Sequence, residues 1–522
     1  MDTDVLIVGA GPTGLMLACQ LARRGVRALI IDRHAGPARE TRALGVQART
    51  LEIYARLGIV EQALALGQRA EAANLWSLGR HAARVPLGDI GRDLSPYPYL
   101  FILGQDDNER LLGEKLRELG GEVRWNTELT ALTQYPDHVR ATLRTSDGDW
   151  SEVSAVWVAG CDGAHSAVRH LNAMDFPGAP YEQVFFVADV QLSGDMVPDE
   201  LNVFLWHQRF HLFFPMRGQD HWRLVGIVPP ELRDKPDLAM ADVLPALLRE
   251  AGAGLSFHAC SWFSVYRIHH RCASRFRDRR CFLLGDAAHI HSPVGAQGMN
   301  TGLQDAYNLA WKLALVVSGR AGEALLESYE AERLPVARRL LETTDRAFSL
   351  IVSERRIAAL LRTRLLARVV ALAMRSERVR LLAFRTISQI GIAYRDSSLA
   401  CAAADMPAQG PRPGERWPWL RLVLRPGGEV EDGFARLDDS GFNLILIGQE
   451  APADVPHADM VRVHTLPDDA GNRRQLARWQ IPQRAFYLLR PDGHIGLAGT
   501  HFNAATMARY LSQSLHMHAA RR

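Results

Sequence analysis

The chain of 522 residues contains almost no lysine and no long apolar segment. Lysine occurs only at Lys115, Lys235 and Lys312, so arginine supplies the other 58 of the 61 basic residues. The net charge of +3 and the scattered arginines argue against an electrostatic nucleic-acid binder. No apolar run approaches the ~18 residues that a membrane span requires. We therefore expect neither a nucleic-acid partner nor a membrane span.

Signs of export are also missing. An apolar strand begins at Val5 with no basic region before it, which predicts that there is no signal peptide. The six cysteines show no CxxC motif and no disulfide-like spacing, which favours a reducing compartment. At ~150 residues per domain, the length suggests about three domains. These features predict a cytoplasmic protein.

The stretch GDAAHIHSPVGAQGMNTG, residues 285–302, combines an aspartate and two histidines with many glycines. Zinc and iron sites need side chains that converge, whereas His289 and His291 are only two residues apart. No nearby cysteine or second carboxylate completes a ligand set. The sequence therefore predicts no metal here, and loop histidines with structural hydrogen bonds are the better interpretation.

A glycine-rich turn joins the first predicted strand, VLIVGA, to a helix over 14–24. Gly9, Gly11 and Gly14 form GxGxxG, in which the first glycine permits the turn and the second lets backbone approach a pyrophosphate. The third lets the helix pack on the strand, and the phosphates lie at the positive end of its dipole. Asp32 closes the second strand, where it accepts hydrogen bonds from ribose hydroxyls. The spacing predicts a dinucleotide site and leaves FAD and NAD open.

Three further stretches carry a family resemblance: RALGVQARTLEIYARLG, WVAGCDGAHSAVRHLN and the glycine-rich stretch 285–302. Together with GxGxxG, in this order, they make the chain resemble the FAD-dependent aromatic hydroxylases. These are single-component monooxygenases of the p-hydroxybenzoate hydroxylase type. The resemblance runs to about residue 395. The length and the C-terminal tail are similar to the phenol hydroxylase and pentachlorophenol monooxygenase branch.

The resemblance implies how the glycine-rich stretch holds FAD. Asp286 would accept hydrogen bonds from ribityl hydroxyls, and Pro293 would lie against the flavin edge near C4a. Backbone N–H groups around Gly295 would face the N1–C2=O side of the ring, at a helix N-terminus whose dipole stabilises negative charge. The predicted cofactor-binding residues are Gly9, Gly11, Pro12, Thr13, Gly14, Asp32, Arg33, Arg42, Gln47, Gln105, Asp162, Asp286, Pro293, Gly298, Met299 and Asn300.

The activity that the resemblance implies is hydroxylation of a phenolic or polycyclic aromatic substrate. FAD would be reduced by NADH or NADPH and would react with molecular oxygen, giving a flavin C4a-hydroperoxide that attacks the ring. The protein would supply binding, orientation and exclusion of water. Two alternatives stay open: epoxidation or Baeyer–Villiger oxidation of a polyketide-like substrate on the same fold, and a flavin-binding scaffold without turnover.

Extended, alternating segments after about residue 173 predict an antiparallel sheet that carries the substrate. Within it, Tyr266 and Arg267 are the first candidates for the catalytic residue that meets the substrate hydroxyl. The resemblance implies that the third predicted catalytic residue, Pro293 of the glycine-rich stretch, would crowd the C4a face of the flavin so that oxygen adds on one side. Some phenol hydroxylases carry an aspartate where this chain has Leu44. A substrate-deprotonating acid at that position is therefore excluded.

The predicted class is α/β, with a Rossmann-like FAD-binding domain, an antiparallel-sheet substrate domain and a C-terminal thioredoxin-like domain. We expect a discontinuous FAD-binding domain over 1–173 and 270–350, and a substrate domain over 174–269. An arginine-laced helical segment over 351–404 precedes the tail, 405–522. No cysteine follows Cys401, so the tail cannot perform dithiol chemistry and is expected to serve packing or dimer contacts, which makes a homodimer one expectation.

Overall fold

The computed structural model describes residues 1–38, 43–206, 209–252, 254–291, 295–352 and 366–518. The helices in this part of the chain are α1 Pro12–Ala22, α2 Ala48–Leu57, α3 Val60–Leu66, α4 Gln105–Glu118, α5 Ala167–Leu171, α6 Met240–Ala251, α7 Gly298–Val317, α8 Glu327–Val352, α9 Ala367–Ala373, α10 Glu377–Ile387, α11 Ala470–Arg478 and α12 Ala504–Arg509. No helix among these is both long and apolar enough to cross a bilayer.

The strands form three main sheets and two small ones. They are β1 Thr3–Val8, β2 Ala28–Ile31, β3 Gly45–Val46, β4 Gln68–Ala70, β5 Ala72–Ser77, β6 Arg80–Pro86, β7 Leu100–Ile102, β8 Val123–Arg124, β9 Thr127–Gln134, β10 Val139–Thr145, β11 Trp150–Gly160, β12 Gly178–Ser193, β13 Leu201–Leu205, β14 Phe210–Pro215, β15 His221–Ile227, β16 Ser256–Cys272, β17 Arg277–Asp278, β18 Cys281–Leu283, β19 His289–Ile290, β20 Cys401–Ala402, β21 Arg421–Val423, β22 Val430–Asp432, β23 Phe442–Ile447, β24 Val461–Leu466, β25 Ala485–Leu489 and β26 Ile495–Gly499.

The first sheet has a parallel centre. Its main path is β17-β18-β11-β1-β2-β8, with β9 and β10 attached through β11. β1 runs parallel to both β2 and β11, and β11 runs parallel to β18. The continuous apolar sequence of β1 suits a strand covered on both faces. This is the predicted Rossmann-like arrangement, and it places the ends of β1, β2 and β11 together at one edge.

The second sheet follows the order β19-β16-β12-β15-β14-β13-β5-β6 and is antiparallel except where β13 pairs with β5. One face packs on α6 through a core that includes Phe186, Leu224 and Leu247. β19 belongs to the glycine-rich stretch and pairs with the end of β16. β5 and β6 lie within 1–173 in sequence, yet their hydrogen bonds place them in this second sheet.

The tail contains a five-stranded sheet of order β20-β26-β25-β23-β24. β23 runs parallel to β24 and antiparallel to β25, as the thioredoxin-like expectation requires. β25 and β26 form a hairpin whose turn includes Asp492 and Gly493, and Gly493 has φ +76°. The α/β class with these three sheets confirms the predicted fold class.

Helix α7 lies between the first sheet and the tail. Leu303 and Ala306 join the core of the first sheet, whereas Trp311 and Leu315 pack with Phe442 of the tail. α7 is buried on nearly every side because it is covered from both directions. The position of its N-terminus is therefore fixed by packing along the whole helix.

Candidate active site

The glycine-rich turn after β1 leaves open space at one position only. A Cβ added at Gly9, which has φ +102°, would lie 2.4 Å from the carbonyl oxygen of Cys161. A Cβ at Gly14 would lie 1.9 Å from the carbonyl oxygen of Gly9, whereas a Cβ at Gly11 would meet nothing within 4 Å. Packing therefore explains two glycines, and the open side of Gly11 suits the close approach of a pyrophosphate.

Asp32 follows β2 and is half-buried beside this turn. Its Oδ2 accepts a hydrogen bond from the backbone N–H of Ala10 at 2.7 Å, and its Oδ1 accepts one from the N–H of His34 at 2.9 Å. Arg33 next to it is exposed. These bonds fix the carboxylate at the end of the strand, where the ribose of a dinucleotide lies in this type of fold.

The N-termini of α1 and α7 meet at Thr13. A Cβ added at Gly302 would lie 2.3 Å from Thr13 Oγ1, and one added at Gly285 would lie 2.7 Å from it. Thr13 follows Pro12 in the first turn of α1, and Gly302 lies in the second turn of α7. The two glycines bring both helix N-termini and the exposed Asp286 into one region, where their positive dipole ends favour anionic groups.

Asn300 closes the loop before α7. Its Oδ1 accepts hydrogen bonds from Gln47 N at 2.8 Å and Thr50 Oγ1 at 2.7 Å, and its Nδ2 donates to the carbonyls of Gly45 and Ala296, both at 2.8 Å. The Asn300 side chain is thus committed to the protein. The prediction for Gly298, Met299 and Asn300 concerned their backbone N–H groups, and backbone N–H groups in a first helical turn have no intrahelical partner.

Two predicted glutamines make contacts within the protein. Gln47 Nε2 donates to the carbonyl of Gly295 at 2.9 Å, which ties α2 to the loop before α7. Gln105 begins α4 and donates to Glu109 Oε1 at 2.9 Å. The other carboxylate oxygen of Glu109 accepts from Ala38 N at 2.8 Å. Gln47 thus lies at the loop before α7, whereas the Gln105 side chain bonds within α4.

Asp162 follows β11 directly beside Gly9, whose added Cβ would lie 2.8 Å from the Asp162 Cα. Its Oδ2 accepts from Val168 N at 3.2 Å. Its Oδ1 is buried and has no hydrogen-bond partner among the described residues. Burial raises the pKa of this carboxyl above its ordinary value. A buried acceptor without a donor is costly, so a ligand that supplies a donor fits this place.

Arg42 and Pro293 of the predicted site lie outside the described residues. No group of three or more histidine, cysteine, aspartate or glutamate side chains that could hold a metal occurs in the part of the chain that the structure describes. Instead, His289 Nε2 donates a hydrogen bond to a buried aspartate.

That aspartate is Asp305, a buried residue of α7 that the sequence interpretation missed. Its Oδ2 accepts from Gly285 N at 3.0 Å and contacts His289 Nε2 at 2.8 Å, and its Oδ1 accepts from Arg333 Nε at 2.6 Å. Burial alone would raise the pKa of Asp305, but the charges of Arg333 and His289 lower it. The signal in the sequence was a lone acid in the middle of an apolar helix.

Tyr266 and Arg267 lie on opposite faces of the second sheet, as neighbours in a strand must. Tyr266 is opposite Phe185, and their rings lie 6.0 Å apart between centroids. Arg267 is opposite Val184, on the face that packs against α6, and its guanidinium is exposed at 4.0 Å from Asp234. The structure therefore does not bring the two predicted catalytic side chains together.

The face that carries Tyr266 meets the small sheet β3-β7-β4 through Phe214. Leu44 is buried in a small cluster with Ala70 and Ile102, against which Phe214 of β14 packs. A Cβ added at the next residue, Gly45, would lie 2.5 Å from the Cβ of Ala296. Through Phe214 and Leu44, this apolar sheet face is thus connected to the loop before α7, which is the loop predicted to contact the flavin.

Comparison with known proteins agrees with this arrangement. The model of the FAD binding domain family matches residues 2–344. The 6-methylpretetramide 4-monooxygenase of Streptomyces rimosus is 34% identical over 540 residues, covering 98% of this chain and 94% of the relative. The pentachlorophenol 4-monooxygenase of Sphingobium chlorophenolicum is 32% identical over 356 residues, covering 67% and 65%. A crystal structure of aklavinone-11 hydroxylase with FAD and aklavinone has 26% identity and a TM-score of 0.81, covering 99% of both chains.

The chain therefore belongs to the FAD-binding family of flavin-dependent aromatic monooxygenases. It is an enzyme of this class, which confirms the predicted family, cofactor FAD and monooxygenase activity. The open side of Gly11 and the unpartnered oxygen of Asp162 fit FAD at the position that the sequence motifs indicate.

Proposed function

We propose that the enzyme hydroxylates a polycyclic aromatic substrate that carries a phenolic hydroxyl, using molecular oxygen and NADH or NADPH. The observation that carries the proposal is the aromatic face of the second sheet, which carries Phe185 and Tyr266. On this face Phe214 packs against Leu44, whose neighbour Gly45 lies against Ala296 of the loop before α7. A largely apolar wall with few polar groups is typical of sites for such ligands. The names of two similar proteins support the proposal. The 6-methylpretetramide 4-monooxygenase and the aklavinone-11 hydroxylase, at 34% and 26% identity, are named for polycyclic compounds.

Within this proposal, FAD is held by the residues named from the sequence. Gly9, Gly11, Pro12, Thr13, Gly14, Asp32, Arg33, Arg42, Gln47, Gln105, Asp162, Asp286, Pro293, Gly298, Met299 and Asn300 form that set. The support is geometric: the turn after β1, the acid after β2, and the N-termini of α1 and α7 converge. Gln47 contributes by holding the loop before α7 through the Gly295 carbonyl, and Gln105 contributes through its bond to Glu109 in the first turns of α4.

FAD, when bound, supplies electron transfer from the nicotinamide cofactor and the activation of oxygen. The chain's own part is to bind, orient and exclude water. Backbone N–H groups in the first turn of α7 stabilise negative charge near them because the helix dipole adds to their donors. Tyr266, on the sheet face, orients the substrate, whereas Arg267 points to the α6 side.

The proposed domains are the FAD-binding domain over 1–173 and 270–350, the sheet domain over 174–269, the helical segment 351–404 and the tail 405–522. Within 1–173, β5 and β6 are the exception: we assign them to the sheet domain because β5 pairs with β13. We also propose a cytoplasmic location, supported by six cysteines that are all free thiols, and a homodimer as the working assembly.

The test uses the purified holoenzyme. Released flavin is identified as FAD or FMN, and NADH and NADPH oxidation is followed with a panel of polycyclic phenols, with catalase added to detect peroxide. The proposal expects at least one phenol to accelerate oxidation and to gain one oxygen atom, which mass spectrometry detects. Product structure separates a ring hydroxyl from an epoxide or a Baeyer–Villiger lactone. Oxidation that yields only hydrogen peroxide with every phenol would overturn it.

A further inference from the structure

Helix α10 ends in an unusual way. Gln389 follows the C-cap residue Ser388 and has φ +60°, in the left-handed region. Helices commonly end with a residue in this conformation, but that residue is usually glycine because a side chain is strained there. Gln389 is nevertheless buried, with only 4% of its surface exposed. Closing the helix needs no side chain, so a buried glutamine at this position indicates a contact elsewhere.

That contact is with the first two turns of α7. Gln389 Nε2 donates to Thr301 Oγ1 at 2.8 Å and, more weakly, to the carbonyl oxygen of Gln297 at 3.4 Å. Gln389 Oε1 accepts from Gln304 Nε2 at 2.5 Å. Gln297 is the N-cap of α7, and Gln304 lies in its second turn. A single side chain from the segment after α10 therefore ties the start of α7 to its next turn.

The segment after α10 also holds the site at two further points. The carbonyl oxygen of Ser388 accepts from the N–H of Arg49, in the first turn of α2, at 3.2 Å. Tyr394 Oη accepts from Arg333 Nη1 at 2.9 Å, and Arg333 Nη2 donates to the carbonyl oxygen of Thr301 at 3.1 Å. The segment thus crosses the N-terminal turns of both α2 and α7.

Two side chains therefore fix the first turn of α7. Asn300 ties it to α2 and to the loop before α7, and Gln389 ties it to the segment after α10. These bonds use side chains and carbonyl oxygens of the turn, so none of them occupies its backbone N–H groups. Donors that are fixed in advance stabilise a nearby charge well because they need not reorganise when the charge appears.

We propose that Gln389 is a positioning residue for FAD. It fixes the first turn of α7, and the N–H groups of that turn stabilise the negative charge that FAD gains on reduction. The inference rests on the proposed placement of the flavin at this helix end. Stabilising the charge makes reduced FAD bind more tightly relative to oxidised FAD, which raises the midpoint potential of the bound flavin. Loss of the Gln389 contact should therefore lower that potential.

Two substitutions remove the contact without straining the backbone. Glycine and asparagine both tolerate the left-handed conformation, and the shorter asparagine side chain no longer brings its amide to Thr301. In Gln389→Gly and Gln389→Asn we expect reduced FAD to lose about tenfold more affinity than oxidised FAD. For a two-electron couple, that tenfold change corresponds to a midpoint potential about 30 mV lower.

The experiment measures the midpoint potential of the bound flavin anaerobically against a reference dye, with saturating FAD and no aromatic substrate. Thermal unfolding of each apoprotein gives the melting temperature. Ser397→Ala is the matched control because the Ser397 hydroxyl lies further along the same segment and donates to the buried Glu332 at 2.7 Å instead of contacting α7. We expect the control to lower the melting temperature and to leave the potential unchanged.

Thr301→Val tests the same bond from the α7 side and serves if the Gln389 variants do not fold. Valine keeps the shape of threonine but lacks the hydroxyl that accepts from Gln389. The potential of Thr301→Val should fall like that of Gln389→Asn. The double variant should fall no further, because both substitutions remove one shared contact.

A lower potential in the Gln389 and Thr301 variants, with an unchanged potential in Ser397→Ala, supports the inference. An unchanged potential in those variants, additive shifts in the double variant, or an equal shift in Ser397→Ala contradicts it. Failure of every polycyclic phenol to be hydroxylated would overturn the proposed function but would leave this result standing, since the measurement contains no substrate.

Discussion

Asp305 Oδ2 lies 2.8 Å from His289 Nε2, and both side chains are fully enclosed by protein. The same oxygen accepts the N–H of Gly285, the residue before the predicted ribityl ligand Asp286. On its other side Asp305 binds Arg333 of α8, which also donates to Tyr394 Oη at 2.9 Å. The turn that is expected to hold FAD is therefore fixed by a buried acid on a different helix.

Replacing Asp305 should weaken FAD binding. Asp305→Asn loses a charged acceptor for Gly285 and His289, and the turn before Asp286 becomes less ordered. We expect the FAD dissociation constant to rise about tenfold or more, as the loss of one charge-assisted hydrogen bond implies. The measurement is fluorescence titration of the apoprotein with FAD, well below the unfolding temperature.

The control for this experiment is Glu332→Gln. Glu332 is equally buried and binds Lys312 and Arg490, but it contacts the tail instead of the turn. We expect a lower melting temperature with little change in FAD affinity. If both variants weakened FAD binding equally, general destabilisation would explain the effect and the positioning role of Asp305 would be lost.

The glycine-rich turn after β1 allows a cleaner separation of folding from binding. Gly11→Ala adds a methyl group into open space and should leave the stability of the apoprotein nearly unchanged. Its FAD affinity should fall at least about tenfold because the methyl group occupies the side that a pyrophosphate approaches. Gly14→Ala should instead destabilise the fold, since its Cβ would lie 1.9 Å from the Gly9 carbonyl oxygen. Unaltered FAD binding by Gly11→Ala would contradict the assignment.

FAD affinity should depend on pH through Asp162. Burial raises the pKa of this carboxyl in the free protein above 3.8, so it takes up a proton at a higher pH than an exposed aspartate. Hydrogen-bond donors of a ligand prefer the ionised carboxylate, and binding therefore releases a proton. Affinity should rise with pH below the raised pKa of Asp162 in the free protein and level off above it. Asp162→Asn should flatten this profile, and titrations of both proteins across that window check it.

Tyr266 and Arg267 give a test based on strand geometry. Tyr266 shares the face that adjoins the flavin loop, so Tyr266→Phe should raise KM for a phenolic substrate about threefold to tenfold. Arg267→Gln should change KM less than about twofold because the guanidinium is exposed on the α6 side. Steady-state kinetics give KM for both variants. A larger increase of KM in Arg267→Gln than in Tyr266→Phe would contradict the assignment of Tyr266 to the substrate side of the sheet.

Local motifs made much of the site predictable. GxGxxG, Asp32 and the N-terminus of α7 could be placed because each depends on residues close in sequence, and strand, turn and helix follow one another directly. Tyr266 and Arg267 were both named as candidates, although the alternation of side chains along a strand places neighbours on opposite faces. The strand assignment alone would have separated them.

The features of the fold and site that the sequence did not predict depend on contacts between residues far apart in the chain. Asp305 and Arg333 belong to different helices, and their contact requires both to pack on the first sheet. The pairing of β5 with β13 likewise joins segments more than a hundred residues apart. Gln389 and Thr301 are 88 residues apart, and their bond requires the segment after α10 to pack on α7.

The most direct test of the central claim is oxygen incorporation from labelled gas. The holoenzyme is supplied with NADPH or NADH, a polycyclic phenol that accelerates oxidation, and ¹⁸O₂, and the product is analysed by mass spectrometry. The account predicts one labelled oxygen atom in the product, bound to a ring carbon, and the second in water. Product oxygen that derives from water, or consumption of all the labelled gas as hydrogen peroxide with every phenol, would contradict it.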